Sequence, residues 1–149
     1  MKRFFLFFLL VAVFSCNKLG ENPVYDSVFL KLDLEFRDKS LKVPPSYKTF
    51  IAGINYNPLY GERLGFGGLL VVNTATNGFW AFDLACPNEQ SPNRNTIVEV
   101  DKDGIKAICK KCGTQYDIWH GTGMALEGKK YGLRSYNISV SGNSGVVTN

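Results

Sequence analysis

Histidine is nearly absent from the sequence, since His120 is the only one in 149 residues. A single imidazole excludes multi-histidine metal sites and leaves little for a catalytic triad. No pair of carboxylates stands at a spacing typical of general acid–base catalysis, and neither Ser46 nor Ser135 has the sequence context of a nucleophile. The sequence therefore favours a protein that is not an enzyme.

Helical periodicity and concentrated charge are lacking as well. Apolar residues nowhere repeat at a helical spacing for as long as three turns. Lysine and arginine number 17 against 13 acidic residues, and beyond the N-terminal segment the only adjacent basic pairs are Lys110-Lys111 and Lys129-Lys130. Nucleic-acid binding requires a clustered basic surface. We therefore expect no nucleic-acid partner.

The N-terminal segment has the composition of an export signal. Two basic residues, Lys2 and Arg3, precede an apolar run over residues 4–14. A membrane-spanning helix needs about 20 apolar residues, whereas a basic start, a short apolar stretch and a small residue are typical of a secretory signal peptide. We therefore predict that residues 1–15 direct export and are then removed.

The end of this signal, Val13-Phe14-Ser15-Cys16, resembles the lipobox of bacterial lipoproteins. That resemblance implies that Cys16 is lipidated and becomes the first residue of the mature protein. The alternative is an ordinary secretory signal followed by an unrelated cysteine. Residues 16–27 are polar and rich in turn formers, so we interpret them as a lipidated tether. We expect an exported protein of the bacterial cell envelope, anchored to a membrane through its lipid.

From residue 28 onward the pattern is that of β-strands. Apolar and polar residues alternate over residues 28–36, which predicts a half-buried strand. Asn77-Gly78 and Asp103-Gly104 separate apolar runs and favour hairpin turns. Further strands are predicted at residues 49–52, 69–72, 79–82, 96–101, 105–108, 131–140 and 146–147. Residues 28–149 are thus predicted to form one all-β domain.

Three cysteines lie in this predicted domain, namely Cys86, Cys109 and Cys112. They cannot all pair within one exported chain, because their number is odd. Cys86 follows one predicted strand, and the Cys-x-x-Cys pair follows another. Two loops that each close a strand and carry cysteine are a common way to hold a metal centre. Gly113 and a β-type run follow the pair, which disfavours a thioredoxin-like redox enzyme.

The two loops resemble those of the Rieske family, whose signature is Cys-x-His in one loop and Cys-x-x-His-Gly in the other. Here they read Cys86-Pro87-Asn88 and Cys109-Lys110-Lys111-Cys112-Gly113, and the second loop continues to Tyr116. Residues 121–128 resemble the third loop of that family. The resemblance covers residues 66–148 and implies a Rieske-like antiparallel sheet sandwich with a small cysteine-loop subdomain, which in the family carries a [2Fe-2S] cluster.

Two ligand positions of that signature differ in this chain. Asn88 stands at the first histidine position and Cys112 at the second. A neutral amide is a poor ligand for iron in a sulfide cluster, so we interpret Asn88 as the position of a lost ligand. Resembling proteins with clusters are exported folded under a twin-arginine signal, whereas Lys2-Arg3 favours export of an unfolded chain. The sequence therefore predicts that the ordinary cluster is lost and favours a protein without a cofactor.

Three arrangements of the cysteines are open at this point. The favoured one is a disulfide between Cys86 and either Cys109 or Cys112, which closes a loop of about 25 residues and contributes about 3.5 kcal/mol. The second is a zinc or iron ion on three thiolates together with Asn88, Glu89 or water. The third is an altered iron–sulfur cluster.

Two functions correspond to these arrangements. The first is a membrane-anchored lipoprotein whose Rieske-like domain has a structural or interaction role. The second is an electron-transfer protein in which Cys86, Cys109 and Cys112 hold an altered cluster or a single metal ion. The predicted partner is the membrane, reached through the lipid on Cys16, and no protein partner is predicted. His120 is expected to be a partly exposed residue with no ligand role.

Overall fold

The computed structural model of the chain describes residues 22–149. The predicted signal peptide, residues 1–15, and the predicted lipidation site Cys16 lie outside the described residues. Within the described part, no helix is both long enough and apolar enough to cross a membrane.

The described residues form an almost purely β structure, as the sequence predicts. Ten strands are joined by loops, and one short 3-10 helix covers Lys39–Lys42. The strands are β1 (Val28–Asp33), β2 (Ser46–Phe50), β3 (Arg63–Leu64), β4 (Leu69–Thr74), β5 (Gly78–Asp83), β6 (Val98–Val100), β7 (Lys106–Cys109), β8 (Gln115–Asp117), β9 (Ser135–Ser141) and β10 (Ser144–Thr148).

The strands form one large and one small antiparallel sheet. The large sheet has the order β2-β4-β5-β9-β10-β1-β3, and the small sheet has the order β6-β7-β8. Strand β9 pairs with β5 through Tyr136 and Ser135, and it pairs with β10 along the rest of its length. The predicted architecture, antiparallel sheets with a small subdomain that carries the cysteine loops, is therefore confirmed.

A first apolar core lies between the two halves of the large sheet. Alternate residues of β1, Val28, Leu30 and Leu32, are buried, as the period of two predicts. They pack with Phe50 of β2 and Val71 of β4 from the other half of the sheet. Because both halves contribute side chains to one cluster, they face each other across it, which makes the large sheet a sandwich.

The first strand is shorter than the sequence predicts. The alternation continues to Phe36, but β1 ends at Asp33, and Phe36 is 72% exposed. The Asp33 carboxylate accepts hydrogen bonds from the backbone N–H groups of Glu35 and Phe36, at 3.0 and 3.1 Å. An aspartate that binds its own following backbone turns the chain. The alternating pattern therefore overestimates the length of this strand.

A second core lies between the small sheet and the opposite face of β4 and β5. Leu70 and Phe82 come from the large sheet, and Ala107 and Tyr116 come from the small one. The same cluster includes the three cysteines. The alternation of β4 thus divides its side chains between two cores, since neighbouring residues point to opposite faces of a sheet.

Residues 22–27, predicted as part of the tether, lie against the domain. Val24 is fully buried. The side-chain amide of Asn22 donates a hydrogen bond to the carbonyl oxygen of Gly132 at 2.9 Å. The described chain therefore begins beside the segment that follows the predicted third loop, residues 121–128.

Candidate metal centre

The small sheet and the loop after β5 bring the three cysteines to one place. Cys109 is the last residue of β7, and Cys112 lies in the turn that leads to β8. That turn is closed by the N–H of Gly113, which donates to the Cys109 carbonyl oxygen at 2.8 Å, and Gly113 adopts a φ of +74°. Glycine suits this backbone conformation because it has no Cβ.

Cys86 is positioned by a buried carboxylate three residues earlier in the chain. The Asp83 side chain accepts hydrogen bonds from the N–H groups of Phe66, Gly67 and Ala85 at 2.7 to 2.9 Å. A Cβ at Gly67 would lie 2.6 Å from the Ala85 nitrogen, so the two segments approach as closely as backbone allows. Asp83 therefore fixes the loop that contains Phe66 and Gly67 against the segment that leads to Cys86.

Four potential ligand atoms converge at this site. They belong to Cys86, Glu89, Cys109 and Cys112, and they all lie within 4.8 Å of one another. The sulfur atoms of Cys86 and Cys112 are 3.6 Å apart, and the Cys109 sulfur is 3.5 Å from Oε1 of Glu89. The structure thus brings the three sulfur atoms of the two loops together, and a carboxylate lies beside them.

The predicted disulfide is not formed in this structure. A disulfide requires a sulfur–sulfur distance of about 2.05 Å, and the Cys86 and Cys112 sulfurs are separated by 3.6 Å. All three cysteines of the described chain are free thiols. The preference for a disulfide over the other two arrangements is therefore not supported.

Two hydroxyl groups lie against the sulfur atoms. The Tyr116 hydroxyl is 3.1 Å from the Cys86 sulfur, and the Thr114 hydroxyl is 3.1 Å from the Cys112 sulfur. Since the Asn88 amide donates to the Tyr116 oxygen at 3.0 Å, the Tyr116 proton is free to point at Cys86. Such hydrogen bonds stabilise a thiolate relative to a thiol.

The three thiols differ in acidity. Burial raises the pKa of Cys86 and raises that of Cys109 to about 12. Burial acts in the same direction on Cys112, but the Thr114 hydroxyl and backbone N–H and the neighbouring thiols outweigh it, so the pKa of Cys112 is lowered. Cys112 is also the only one of the three that is partly exposed. A metal ion would displace protons from all three sulfurs, and Cys112 gives up its proton most easily.

Asn88 does not face the sulfur atoms as a ligand. Its side-chain oxygen accepts the Tyr131 N–H at 3.0 Å, and its amide nitrogen donates to the Tyr131 carbonyl oxygen at 2.6 Å. This reciprocal pair joins the first cysteine loop to the segment before β9. It also accounts for the late start of that strand, which is predicted from residue 131 but begins at Ser135. The position interpreted as a lost ligand therefore has a structural role.

Glu89 lies beside the cysteines and is held by a lysine from the other loop. Its side chain is only 4% exposed, and its Oε2 atom is 2.6 Å from the Lys111 ammonium nitrogen. The Lys111 ammonium lowers the pKa of the Glu89 carboxyl below its usual value. Sequence reasoning named Glu89 only among three alternatives for a fourth ligand. The signal that could have singled it out is spacing, because Cys86 and Glu89 are three residues apart, as Cys109 and Cys112 are.

His120 lies outside this group of ligand atoms. Its Nδ1 atom is 3.1 Å from a carboxylate oxygen of Asp117, and the residue is exposed. Asp117 also accepts the Thr122 hydroxyl proton at 2.7 Å. Asp117 therefore has a local hydrogen-bonding role, and His120 is exposed and away from the cysteines.

Comparisons with known proteins give a likeness only among solved structures. No protein-family model matches the chain, and no curated protein matches it. Among solved structures, the chain is similar to the crystal structure of the cyanobacterial plasma membrane Rieske protein PetC3 from Synechocystis, with a TM-score of 0.47 and 20% sequence identity over 78% of this chain and 91% of that chain.

Proposed function

We propose that this domain is a metal-binding module of the cell envelope, in which Cys86, Cys109 and Cys112 hold a metal centre that clamps two loops together. The observation that carries the proposal is the convergence of three free thiols from two separate loops in a buried place. Thiolates are strong ligands for zinc and iron. A bound ion supplies a cross-link between the loops, which the thiols alone do not provide.

The residues present do not fit an ordinary Rieske cluster. Such a cluster needs two ligands at each of two irons, on opposite sides of a sulfide bridge, and two of the four are histidine. Here the side chain of Asn88 is engaged with Tyr131, and four ligand atoms lie in one group within 4.8 Å. We therefore propose a role other than that of the ordinary cluster, with the metal serving the structure of the domain and its interactions.

Electron transfer is the second candidate function. It is favoured by the hydroxyl groups of Tyr116 and Thr114 beside the sulfurs, since hydrogen bonds to thiolates set the potential of iron–thiolate centres. The partly exposed Cys112 places the centre near the surface.

Metal and sulfide analysis of the full chain, purified from membranes without oxygen, separates these functions. A colourless protein with one metal ion and no sulfide supports the structural role. A red-brown protein that contains iron supports the electron carrier. A protein with no metal and three reactive thiols would contradict both.

The anchoring of the module is proposed from the sequence. The signal-like residues 1–15 and the cysteine that follows them support lipidation at Cys16. Mass analysis of the N-terminal peptide from the membrane fraction tests this, and we expect acylated Cys16 as the first residue. A Cys16→Ser chain should be lost from that fraction. An unmodified N-terminus beyond residue 16 would contradict the anchor without affecting the metal centre.

A further inference from the structure

The two cysteine loops present their ligands with the same spacing. Cys109 and Cys112 form a Cys-x-x-Cys turn, and Cys86 and Glu89 form a Cys-x-x-Glu turn. Tetrahedral ions are commonly held by two short turns that each contribute two ligands. The first turn lacks a second cysteine, and the structure places the Glu89 carboxylate where that ligand would stand.

The distances agree with one tetrahedral ion. Zinc–sulfur bonds of about 2.3 Å and zinc–oxygen bonds of about 2.0 Å place two sulfurs about 3.8 Å apart and a sulfur about 3.5 Å from an oxygen. The Cys86 and Cys112 sulfurs are 3.6 Å apart, and the Cys109 sulfur is 3.5 Å from Glu89 Oε1. These two distances match edges of a coordination tetrahedron, and all four ligand atoms lie within 4.8 Å of one another.

The two carboxylate oxygens of Glu89 contact different neighbours. Oε2 contacts the ammonium group of Lys111 at 2.6 Å, and Oε1 is directed at the Cys109 sulfur. A carboxylate that is only 4% exposed beside three sulfurs is costly unless cations compensate it. Lys111 is 61% exposed and supplies the balancing positive charge from the solvent side through Oε2. This pairing leaves Oε1 directed at the cysteines, where it could contact a bound ion.

Other residues do not offer a fourth ligand of this quality. Both polar atoms of Asn88 are occupied by Tyr131 and Tyr116. His120 is exposed and contacts Asp117. Among the described residues that could ligate, Glu89 is therefore the one already placed within reach of all three cysteines.

We propose that Glu89 is the fourth ligand of a single tetrahedral divalent ion of the zinc class, completing a three-cysteine, one-glutamate site, and that Lys111 is a positioning residue that holds its carboxylate. This inference rests on the proposed function, because it requires that the three cysteines bind metal. It goes further by naming the complete ligand set and a mononuclear ion.

Cobalt(II) substitution of the full chain tests the ligand set, because thiolate-to-cobalt charge transfer counts the sulfurs and the visible bands report the geometry. We expect intense tetrahedral bands with three thiolates. Glu89→Cys should raise the charge-transfer intensity by about a third, as four thiolates replace three. Glu89→Gln should shift the visible bands and weaken cobalt binding about tenfold or more, measured by competition with a chromogenic chelator.

Two further variants separate coordination from charge. Glu99→Gln is the matched control, since Glu99 also pairs with a lysine of the second loop, Lys110, but lies on the surface, and it should leave the spectrum and the affinity unchanged. Lys111→Met should weaken binding about tenfold while the charge-transfer intensity stays at three thiolates.

The outcomes are distinguishable. Failure of the unaltered chain to take up cobalt would overturn the proposed function together with this inference. Uptake with identical spectra and affinities for the unaltered chain, Glu89→Gln and Glu89→Cys would overturn the inference alone. Two irons and two sulfides per chain in the anaerobic preparation would also overturn it. If Glu89→Gln fails to fold, Glu89→Cys still decides the question, because it retains a ligand at the same position.

Discussion

The two cores of this domain differ in the polar groups that they contain. The first core is aliphatic and aromatic, and the buried Asp38, which accepts the N–H of Asp33 at the end of β1, is paired with Lys48 at 2.8 Å. The second core contains three thiols, and the Glu89 carboxylate, paired with Lys111 at 2.6 Å, stands beside them. Both carboxylates are therefore compensated within the chain, and the difference lies in the thiols, which give the second core a group of potential metal ligands.

We therefore expect the first core to be stabilised by packing alone, whereas the stability of the second core should depend on a bound ion. Removing apolar volume should harm the first core equally with or without metal. Damage to the second core should depend on whether metal is present. Four changes test this comparison.

The largest effect is expected in the first core. Phe50 is fully buried and contacts Tyr56 edge-on, with ring centroids 5.1 Å apart. Phe50→Ala should lower the free energy of unfolding by about 3–5 kcal/mol, since it removes a buried aromatic ring and leaves a cavity. Denaturant unfolding measures this, and a chelator should not change the loss. Tyr47→Ala, on the exposed face of the same strand, should cost less. A loss that disappears without metal would break the comparison.

The next effect should follow from loss of a metal ligand. Cys109→Ser should remove the stabilisation by metal, which amounts to about 2.7 kcal/mol when the free ion is at 100 times its dissociation constant. The matched control is Ala107→Ser, because both residues are fully buried on β7 and both variants introduce a hydroxyl. Thermal unfolding with and without chelator should show a shift for the unaltered chain and for Ala107→Ser, and none for Cys109→Ser. Equal shifts in all three would contradict a role for Cys109 in metal binding.

A smaller effect is expected where the two regions meet. Asp83→Asn keeps one acceptor oxygen but turns an amide group towards the Phe66 N–H and the Tyr136 hydroxyl. The Asp83 carboxylate accepts hydrogen bonds from these two groups at 2.7 and 2.8 Å. We expect a loss of about 1–3 kcal/mol in unfolding free energy, accompanied by weaker metal binding, because the loop at Phe66 is held less firmly against the segment that carries Cys86. Asp101→Asn, which alters an exposed turn of the small sheet, should leave metal affinity unchanged. Unchanged affinity in Asp83→Asn would show that Asp83 does not position Cys86.

The smallest effect is expected at the surface pair of Asp26 and Arg94. The Arg94 guanidinium lowers the pKa of Asp26 below its unfolded value of about 3.9. The stabilisation is therefore present above about pH 4 and is lost as the pH falls through the folded pKa. Asp26→Asn should cost about 0.2–1 kcal/mol at pH 7, and the difference should vanish in acid. Urea unfolding at several pH values measures it, and a difference independent of pH would exclude the ion pair as its source.

Much of the fold could be predicted from the sequence because the signals are local. The alternation in β1 and the Asn77-Gly78 turn concern residues that are close in sequence, and the structure contains both. The convergence of Cys86 with the Cys-x-x-Cys turn could be predicted only through a resemblance, because the spacing of distant residues does not fix their contact. The position at which β1 ends could not be predicted, because it depends on hydrogen bonds made by the side chain of Asp33.

The site was harder to predict because its decisive contacts are long-range. Asn88 is 43 residues from Tyr131, and nothing near it in sequence indicates that partner. The resemblance, in which histidine stands at this position, suggested a ligand that had been lost. Glu89 had the correct spacing but competed with Asn88 and water, and the choice depends on Lys111 from the other loop.

The engagement of Asn88 with Tyr131 has a consequence for any redesign of this loop. An imidazole at position 88 has no way to replace an amide that both donates to and accepts from the Tyr131 backbone. Asn88→His would therefore detach the neighbouring segment before the new side chain could supply any ligand. An attempt to engineer histidine ligation at this position thus begins with a loss of stability.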